Sequence, residues 1–238
     1  MNTVVDFHSH ILPGMDDGSA SAEQSLAMMK LASQQGIRRM VATPHFYPHR
    51  EDPERFLHRR REAELILRQA MSGCPGLPEL EIGAEVYFFR GMSSYERLHE
   101  LTIEGTDCIL VEMPMSKWSD SMYAELRRIN TNAGLVPVIA HVDRYISPLR
   151  THGIPEHLGE LPVIVQANAN FFLRSSTRAM ALKMLKDDKI HLLGSDCHNL
   201  DERKPNLGPA VDIIRKRLGQ DYLERVHSYQ NYVLCEST

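Results

Sequence analysis

Histidine and carboxylate side chains that could bind metal ions recur along this sequence of 238 residues. The first group is Asp6-Phe7-His8-Ser9-His10, in which two histidines stand two residues apart. Residues at i and i+2 of an extended strand point to the same side, so both imidazoles could reach one ion. A single His-x-His pair is a weak signal, and it becomes informative only when other ligand types lie near it.

Two glutamates are harder to explain as ordinary surface residues. Glu85 and Glu112 lie within apolar segments, and a buried carboxylate is costly unless it is paired or bound to a metal. For each of them the alternative is a buried salt bridge. His45 and His141 also follow apolar segments, and either of them alone could be a hydrogen-bonded histidine of the core or the surface.

Two further segments carry ligand types. Ser195-Asp196-Cys197-His198 sets a carboxylate and an imidazole two residues apart, although a helix N-cap would also explain it. Asp16-Asp17-Gly18 is typical of a turn. Each alternative accounts for one of these features at a time, whereas a shared metal site accounts for all of them together.

The elements that would position these residues alternate between short apolar segments and helical patterns. Several segments are rich in Val and Ile, as in strands that are buried on both faces. We predict strands at Val4–His8, Arg38–Thr43, Leu80–Tyr87, Cys108–Met113, Val136–His141, Val163–Asn168 and His191–Ser195. We predict helices from the Ser21–Gln24 capping box to Gly36, from the Asp52-Pro53 N-cap to Gly73, and over Asp120–Asn132, Arg174–Lys186 and Pro209–Leu218.

This alternation predicts an α/β fold with a parallel sheet, either closed as a barrel or open and doubly wound, in one domain over residues 1–238. In both architectures the C-terminal ends of the strands share one face. The candidate ligands lie at or near those ends, which predicts a multinuclear metal site. Imidazole and carboxylate ligands without thiolate suit manganese, iron or zinc, and magnesium less.

Composition excludes several other classes of protein. A net charge of −4 gives no support to a nucleic-acid partner. We expect no membrane insertion, because no apolar run approaches the roughly 20 residues that span a bilayer. The N-terminal residues from Met1 to Asp6 lack the features of a signal peptide. Four scattered cysteines (Cys74, Cys108, Cys197 and Cys235) indicate neither a zinc ribbon nor a disulfide framework, so we expect a cytoplasmic protein.

In order and spacing, these segments resemble the PHP (polymerase and histidinol phosphatase) superfamily from Val4 to near Leu218. Within it, three stretches are similar to the bacterial metal-dependent tyrosine phosphatases of capsule and exopolysaccharide operons. These stretches are His8–Gly18, His141–Tyr145 and Ser195–Asn199. The resemblance implies a distorted (β/α)7 barrel of TIM-like architecture that holds three divalent metal ions.

Carried over residue by residue, the resemblance also implies roles. The first ion would be held by His8, His10, Glu85 and Asp196; Glu85 would bridge to a second ion held by Glu112 and His141; the third would be held by Asp17, His45 and His198. Arg144 and Arg203 match arginines that bind the substrate phosphate. The implied reaction is hydrolysis of phosphotyrosine on the tail of a bacterial tyrosine kinase that controls polysaccharide export, by attack of a metal-bridging hydroxide. Cys197 departs from the pattern, since relatives often carry a small residue such as Ala there.

Three other functions remain open from the residues alone. A small-molecule phosphatase, acting on a compound such as histidinol phosphate, would use the same site. Cys197 and Arg203 form the Cys-x5-Arg spacing of cysteine-dependent phosphatases, but the loop between them has no glycine and contains Asp201 and Glu202. A metal-bound interaction module without activity is the third. Aromatic residues near the site could either pack on a substrate ring or belong to the core: Tyr47, Phe88, Phe89 and Trp118.

Overall fold

Short strands and helices alternate along residues 4–234, which are the residues that the computed structural model describes. Met1 and Cys235 and the outermost ends of the predicted domain lie outside them. The strands are β1 Val5–Ser9, β2 Arg39–Ala42, β3 His45–Phe46, β4 Glu79–Ile82, β5 Glu85–Tyr87, β6 Cys108–Glu112, β7 Val136–Ile139, β8 Ile164–Asn168 and β9 Leu192–Gly194. The helices are α1 Ala22–Gln34, α2 Pro53–Met71, α3 Asp120–Ala133, α4 Ile154–Leu158, α5 Ala169–Leu173, α6 Ser175–Lys186, α7 Leu207–Leu218 and α8 Gln220–Val233.

Every pairing between these strands is parallel. One sheet has the order β1-β2-β4, and the other has the order β3-β5-β6-β7-β8-β9. The residues after β9 return to β1, where the Asp196 N–H donates to the His8 carbonyl at 2.8 Å and the His10 N–H donates to the Cys197 carbonyl at 2.9 Å. The sheet is therefore curled, and the predicted α/β class with a parallel sheet is confirmed.

The chain turns after one predicted strand and within another. Arg38–Thr43 is continuous as predicted, but the chain turns at Pro44 before the two residues of β3. The prediction of one strand over Leu80–Tyr87 is wrong, because the chain forms β4 and β5 with Gly83 and Ala84 between them. A Cβ atom on Gly83 would lie 3.3 Å from Ile103 Cγ1, so the chain can pass closely there. The breaks set β3 beside β5, with His45 directly paired to Glu85.

The core packs on both faces of the sheet. Alternate residues of β6 belong to different clusters: Ile109 and Val111 pack in the larger one, whereas Cys108 and Leu110 belong to a smaller one. Because successive side chains of a strand point to opposite faces, the two clusters lie on opposite sides of the sheet. Val233 of α8 completes the smaller cluster.

Side chains cap the N-termini of the first two helices, with one difference from the prediction. The Asp52 carboxylate caps α2 by accepting from the Glu54 N–H at 2.9 Å. At α1, the Gln24 side chain accepts from the Ala20 N–H at 2.8 Å, so the predicted capping box is only half formed. The last helix, α8, had no counterpart in the prediction. Within the described residues, no helix combines the length and apolarity required to cross a membrane.

Candidate metal centre

Four candidate ligands from three separate parts of the chain meet at one point. His8 Nε2 lies 3.1 Å from His10 Nε2 and 3.1 Å from Glu85 Oε2. The Oδ1 atom of Asp196 lies 3.7 Å from His8 Nε2 and 3.6 Å from His10 Nε2. All four residues are buried. The curled sheet brings them together, since β1 lies beside the segment that follows β9.

A second group surrounds the other oxygen of Glu85. His141 Nε2 lies 2.6 Å from Glu85 Oε1 and 3.7 Å from Glu112 Oε1. Since the two oxygens of Glu85 face different imidazoles, this carboxylate connects both groups of residues. Glu112 is the last residue of β6, and His141 follows β7 by two residues.

A third group lies at the outer edge. Asp17 Oδ1 is 3.6 Å from His45 Nε2 and 3.5 Å from His198 Nε2. His45 also reaches inward, because its Nδ1 lies 2.9 Å from Glu85 Oε2. The structure thus brings together all nine residues that the sequence suggested as ligands: His8, His10, Asp17, His45, Glu85, Glu112, His141, Asp196 and His198.

These residues fit divalent cations in their chemistry and their geometry. Imidazole nitrogens and carboxylate oxygens suit first-row metals, and their atoms approach one another closely enough to share ions. Several of the closest atoms make no hydrogen bond, although they are buried: His45 Nδ1, Glu85 Oε2 and His198 Nε2. Buried polar atoms are nearly always satisfied, so unsatisfied atoms that converge on one another are best explained by an ion between them.

Two of the nine residues have strained backbones. His141 has a φ of 34° and Asp196 a φ of 53°, in the left-handed region that disfavours residues other than glycine. Such conformations persist where the surrounding structure fixes them, and they are frequent at functional sites. Each turns the chain immediately after a strand and aims a side chain at the cluster.

Asp16 orients the imidazole of His10 and holds the backbone of His45, a role that the sequence did not indicate. Its Oδ2 lies 2.8 Å from His10 Nδ1 and accepts from the His45 N–H at 2.9 Å. Its Oδ1 accepts from the Gly18 N–H at 2.9 Å. A carboxylate on the second nitrogen of a metal-binding imidazole fixes the orientation of the ring and raises its basicity. The sequence therefore predicted a turn at Asp16-Asp17-Gly18 but not the contact of Asp16 with His10.

Gln166 connects the first two groups and was also missed. Its Oε1 accepts from the His141 N–H at 2.6 Å and lies 3.3 Å from His8 Nδ1. Its Nε2 donates to Asn168 Oδ1 at 3.1 Å, and Asn168 Nδ2 donates to Asp196 Oδ2 at 2.9 Å. A fully buried glutamine in the apolar strand β8 is as unusual as Glu85 in β5, so the argument that identified Glu85 would have identified Gln166.

Proton affinities in the cluster reflect burial and mutual attraction. Burial alone would raise the pKa of Glu85, but the neighbouring histidines hold it well below its usual value. Burial alone would lower the pKa of His10, but Asp16 and Glu85 raise it to about 10. Burial lowers the pKa of His198 to about 3, with His10 adding to the effect. Glu85 is therefore ionised, and cation binding at a protonated imidazole releases a proton.

Two arginines border the cluster on Asp196. Arg144 Nη2 donates to Asp196 Oδ2, and Arg203 Nη2 donates to Asp196 Oδ1 at 2.7 Å. Their side chains are 32% and 34% exposed, so part of each guanidinium faces the solvent. Each has further N–H groups with which to bind an anion at the mouth of the site.

The aromatic residues near the site separate into two sets. Tyr47 is half-buried, stacks on His45 with ring centroids 5.1 Å apart and points its hydroxyl towards Glu112 Oε2 at 3.5 Å. Trp118 and Phe88 belong to the core, with 4% and 8% of their surface exposed. Tyr47 also lines a cleft of about 590 Å³ beside Asp17, and it is therefore the better placed of these residues to meet a ligand.

The side chain of Cys197 is completely buried. Burial raises the pKa of its thiol well above the ordinary value, and Asp6 and Asp196 add to the effect. A nucleophilic cysteine needs a lowered pKa and an accessible thiolate. The geometry therefore opposes the mechanism of cysteine-dependent phosphatases.

Comparison with known proteins gives a consistent picture. The sequence profile of the family described as "Capsular polysaccharide synthesis, CpsB/CapC" matches residues 4–234. The chain is similar to the tyrosine-protein phosphatase CpsB of Streptococcus pneumoniae, with 28% identity over 237 positions, 91% of this chain and 91% of that protein. It is also similar to the tyrosine-protein phosphatase YwqE of Bacillus subtilis strain 168, with 27% identity over 228 positions, 92% of this chain and 86% of that protein.

A solved structure shares the fold. It comes from a study of YwqE from Bacillus subtilis and CpsB from Streptococcus pneumoniae, described there as unique metal-dependent tyrosine phosphatases. The superposition has a TM-score of 0.84 at 24% identity and covers 99% of this chain and 96% of that one.

Proposed function

The chain belongs to the CpsB/CapC family of capsular polysaccharide synthesis, and we propose that it is a metal-dependent phosphatase that hydrolyses phosphotyrosine on a protein. The observation that carries this proposal is the buried convergence of His8, His10, Glu85 and Asp196, with two partly exposed arginines beside it. Relatives that are 27–28% identical over nine-tenths of the chain are named tyrosine-protein phosphatases, which supports the same conclusion.

The three groups of residues suggest three ions. His8, His10, Glu85 and Asp196 would hold the first, Glu85 with Glu112 and His141 the second, and Asp17 with His45 and His198 the third. The inward contact of His45 Nδ1 with Glu85 Oε2 brings the first and third groups close together. Manganese, iron and zinc all suit this donor set.

When bound, such ions activate water as a nucleophile and neutralise the charge that develops on the phosphoryl oxygens. The arginines of the chain act on the substrate itself. Arg144 and Arg203 direct their free N–H groups to the phosphate, and their bonds to Asp196 hold the guanidinium groups in position. A phenolate leaves more easily than an alkoxide, since the pKa of free tyrosine is about 10, so phosphotyrosine makes a smaller demand for a general acid.

The finer features of the resemblance belong to the same proposal. We propose that the curled sheet is a distorted (β/α)7 barrel of the PHP type, in which β2 and β3 share one position and β4 and β5 another; the order of the strands in the two sheets supports this arrangement. We propose that residues 1–238 are one such domain. A bacterial tyrosine kinase in the cytoplasm, whose tail carries phosphotyrosine, is the proposed partner.

The test uses purified protein stripped of metal with a chelator and then supplied with manganese, iron or zinc. Four substrates are compared: p-nitrophenyl phosphate, a phosphotyrosyl peptide, the same peptide with phosphoserine, and histidinol phosphate. We expect metal-dependent hydrolysis with the highest kcat/KM for the phosphotyrosyl peptide. Full activity in chelator would refute metal dependence. A higher kcat/KM for histidinol phosphate would establish the small-molecule alternative, and no hydrolysis by metal-loaded protein would indicate an interaction module.

A further inference from the structure

A cleft with several basic side chains begins at Arg144 and Arg203, the two arginines beside the metal centre. It has a volume of about 630 Å³. Arg144 and Arg203 line it next to Asp196, and Arg174 and Lys204 line it farther out. The side chains of Asn170 and Asn206 complete its polar wall. A substrate phosphate at the metal centre would therefore lie at the inner end of this cleft, with room for a neighbouring part of the substrate.

No ion pair among the described residues explains the positive charges of Arg174 and Lys204. Arg174 is the N-cap residue of α6, and Lys204 lies in the loop before α7; both side chains are exposed, and neither has an ion-pair partner within residues 4–234. Arg178, one turn further along α6, differs in this respect because its guanidinium donates to the carbonyls of Phe172 and Leu173. Arg174 and Lys204 thus remain available to an anion.

Acidic residues in the cleft do not cancel this charge. Asp196 is occupied by Arg144 and Arg203. Asp143 is occupied by the Asn168 N–H, from which it accepts at 2.8 Å. Glu202 is exposed on the loop and is the one acidic residue near the outer end. The first turn of α6 contains no acidic residue, so its amide groups add to the positive field.

The cleft on the other side of the metal centre has a different balance. It contains three arginines and three acidic residues, and Arg59 is tied to both oxygens of Glu51 at 2.7 and 2.9 Å. Its other two acidic residues, Asp16 and Asp17, face the metal cluster. Of these two clefts, the one with Arg174 and Lys204 therefore combines unpaired cations with the arginines of the proposed phosphate site.

We propose that Arg174 and Lys204 form a subsite for a carboxylate side chain that flanks the phosphotyrosine in the substrate polypeptide. The proposal rests on the proposed phosphatase function and adds a sequence preference to it. Two exposed charge–charge contacts together change affinity by about fivefold. The preference is electrostatic, so it declines as salt screens the charges over about 10 Å at 0.1 M ionic strength.

The experiment measures kcat/KM of the metal-loaded enzyme on three phosphotyrosyl peptides. One has alanine on both sides of the phosphotyrosine, one has glutamate in the three preceding positions, and one has glutamate in the three following positions. We expect one of the acidic peptides to exceed the alanine peptide by about fivefold, and the ratio to approach 1 in 0.5 M sodium chloride.

The double variant Arg174→Ala/Lys204→Ala identifies the residues responsible. It should bring the ratio of acidic to alanine peptide close to 1. The double variant Lys30→Ala/Arg127→Ala is the matched control, because it removes the same two charges from exposed residues outside the cleft and should keep the ratio of the wild type. Equal kcat/KM for all three peptides, or a preference that survives in the first double variant, would overturn the subsite alone. Absence of hydrolysis for every peptide would overturn the proposed function, and the subsite with it.

Discussion

Replacement of Gln166 by leucine should weaken metal binding without altering any residue proposed to contact a cation. The leucine removes the oxygen that accepts from the His141 N–H at 2.6 Å and lies 3.3 Å from His8 Nδ1. It also ends the connection through Asn168 to Asp196. Three proposed ligands from two ions would therefore lose their orientation at once.

The expected magnitude follows from these contacts. A buried N–H group left without a partner costs about 1–3 kcal/mol, so Gln166→Leu should lower the free energy of unfolding by that amount. Loss of a residue that orients metal ligands typically lowers metal affinity by about 10–100-fold, which corresponds to roughly 1.4–2.7 kcal/mol. The tightest manganese site should show this shift.

The assay is isothermal titration of manganese into chelator-stripped protein, together with urea denaturation. Gln230→Leu is the control, since Gln230 is also fully buried and its Nε2 donates to the Val5 carbonyl at 3.4 Å, away from the cluster. We expect it to reduce stability but to change manganese affinity by less than about twofold. Equal manganese affinity in Gln166→Leu and wild type would show that this glutamine does not orient the ligands.

Three further outcomes can be checked separately. Gly194→Ala should lower the free energy of unfolding in urea by about 1–3 kcal/mol, because the new Cβ would lie 2.7 Å from His8 Cβ. Gly159→Ala is the control and should not destabilise the fold, because its Cβ would lie no closer than 3.4 Å to any neighbour. Equal urea midpoints for the two variants would contradict the packing argument. Cys197→Ser should keep kcat/KM within about threefold, and iodoacetamide should label Cys74 but not buried Cys197 in the native protein; loss of activity would support a thiol nucleophile. Burial lowers the pKa of His191 below 6.5, so the unfolded chain takes up a proton first as the pH falls through 6.5, and stability declines below that pH. His191→Asn keeps an acceptor without titrating, so its urea midpoint in chelator should vary less between pH 8 and pH 5; identical slopes would refute this assignment.

Strand periodicity and ligand types predicted most of the site because they are encoded within short segments. Apolar runs that end in His, Asp or Glu located the candidate ligands at one edge of the sheet, and the structure places them together. The break at Gly83 was harder to predict, since the strand pattern of Leu80–Tyr87 continues through it and only the packing against Ile103 distinguishes the gap. Periodicity alone therefore located the strands but not their bends.

Residues that support the ligands were harder to predict than the ligands themselves. Asp16 acts on His10 through a hydrogen bond whose partner is fixed only by the fold, and its neighbours in sequence suggest a turn. Trp118 could equally have lined the surface, but its ring packs against Tyr145 with centroids 5.0 Å apart, and its N–H donates to the Pro114 carbonyl at 3.0 Å. Such outcomes depend on long-range contacts that have no fixed spacing along the chain.

The left-handed backbone at His141 and Asp196 sets stability against activity at the same two positions. Glycine or asparagine would relieve about 1–3 kcal/mol of strain at either position, but both remove a side chain that we propose as a metal ligand. Directed evolution that selects for heat resistance alone would therefore favour substitutions at these two positions. The resulting proteins would be more stable but inactive. Selection that also demands turnover has to find its stabilising changes elsewhere in the molecule.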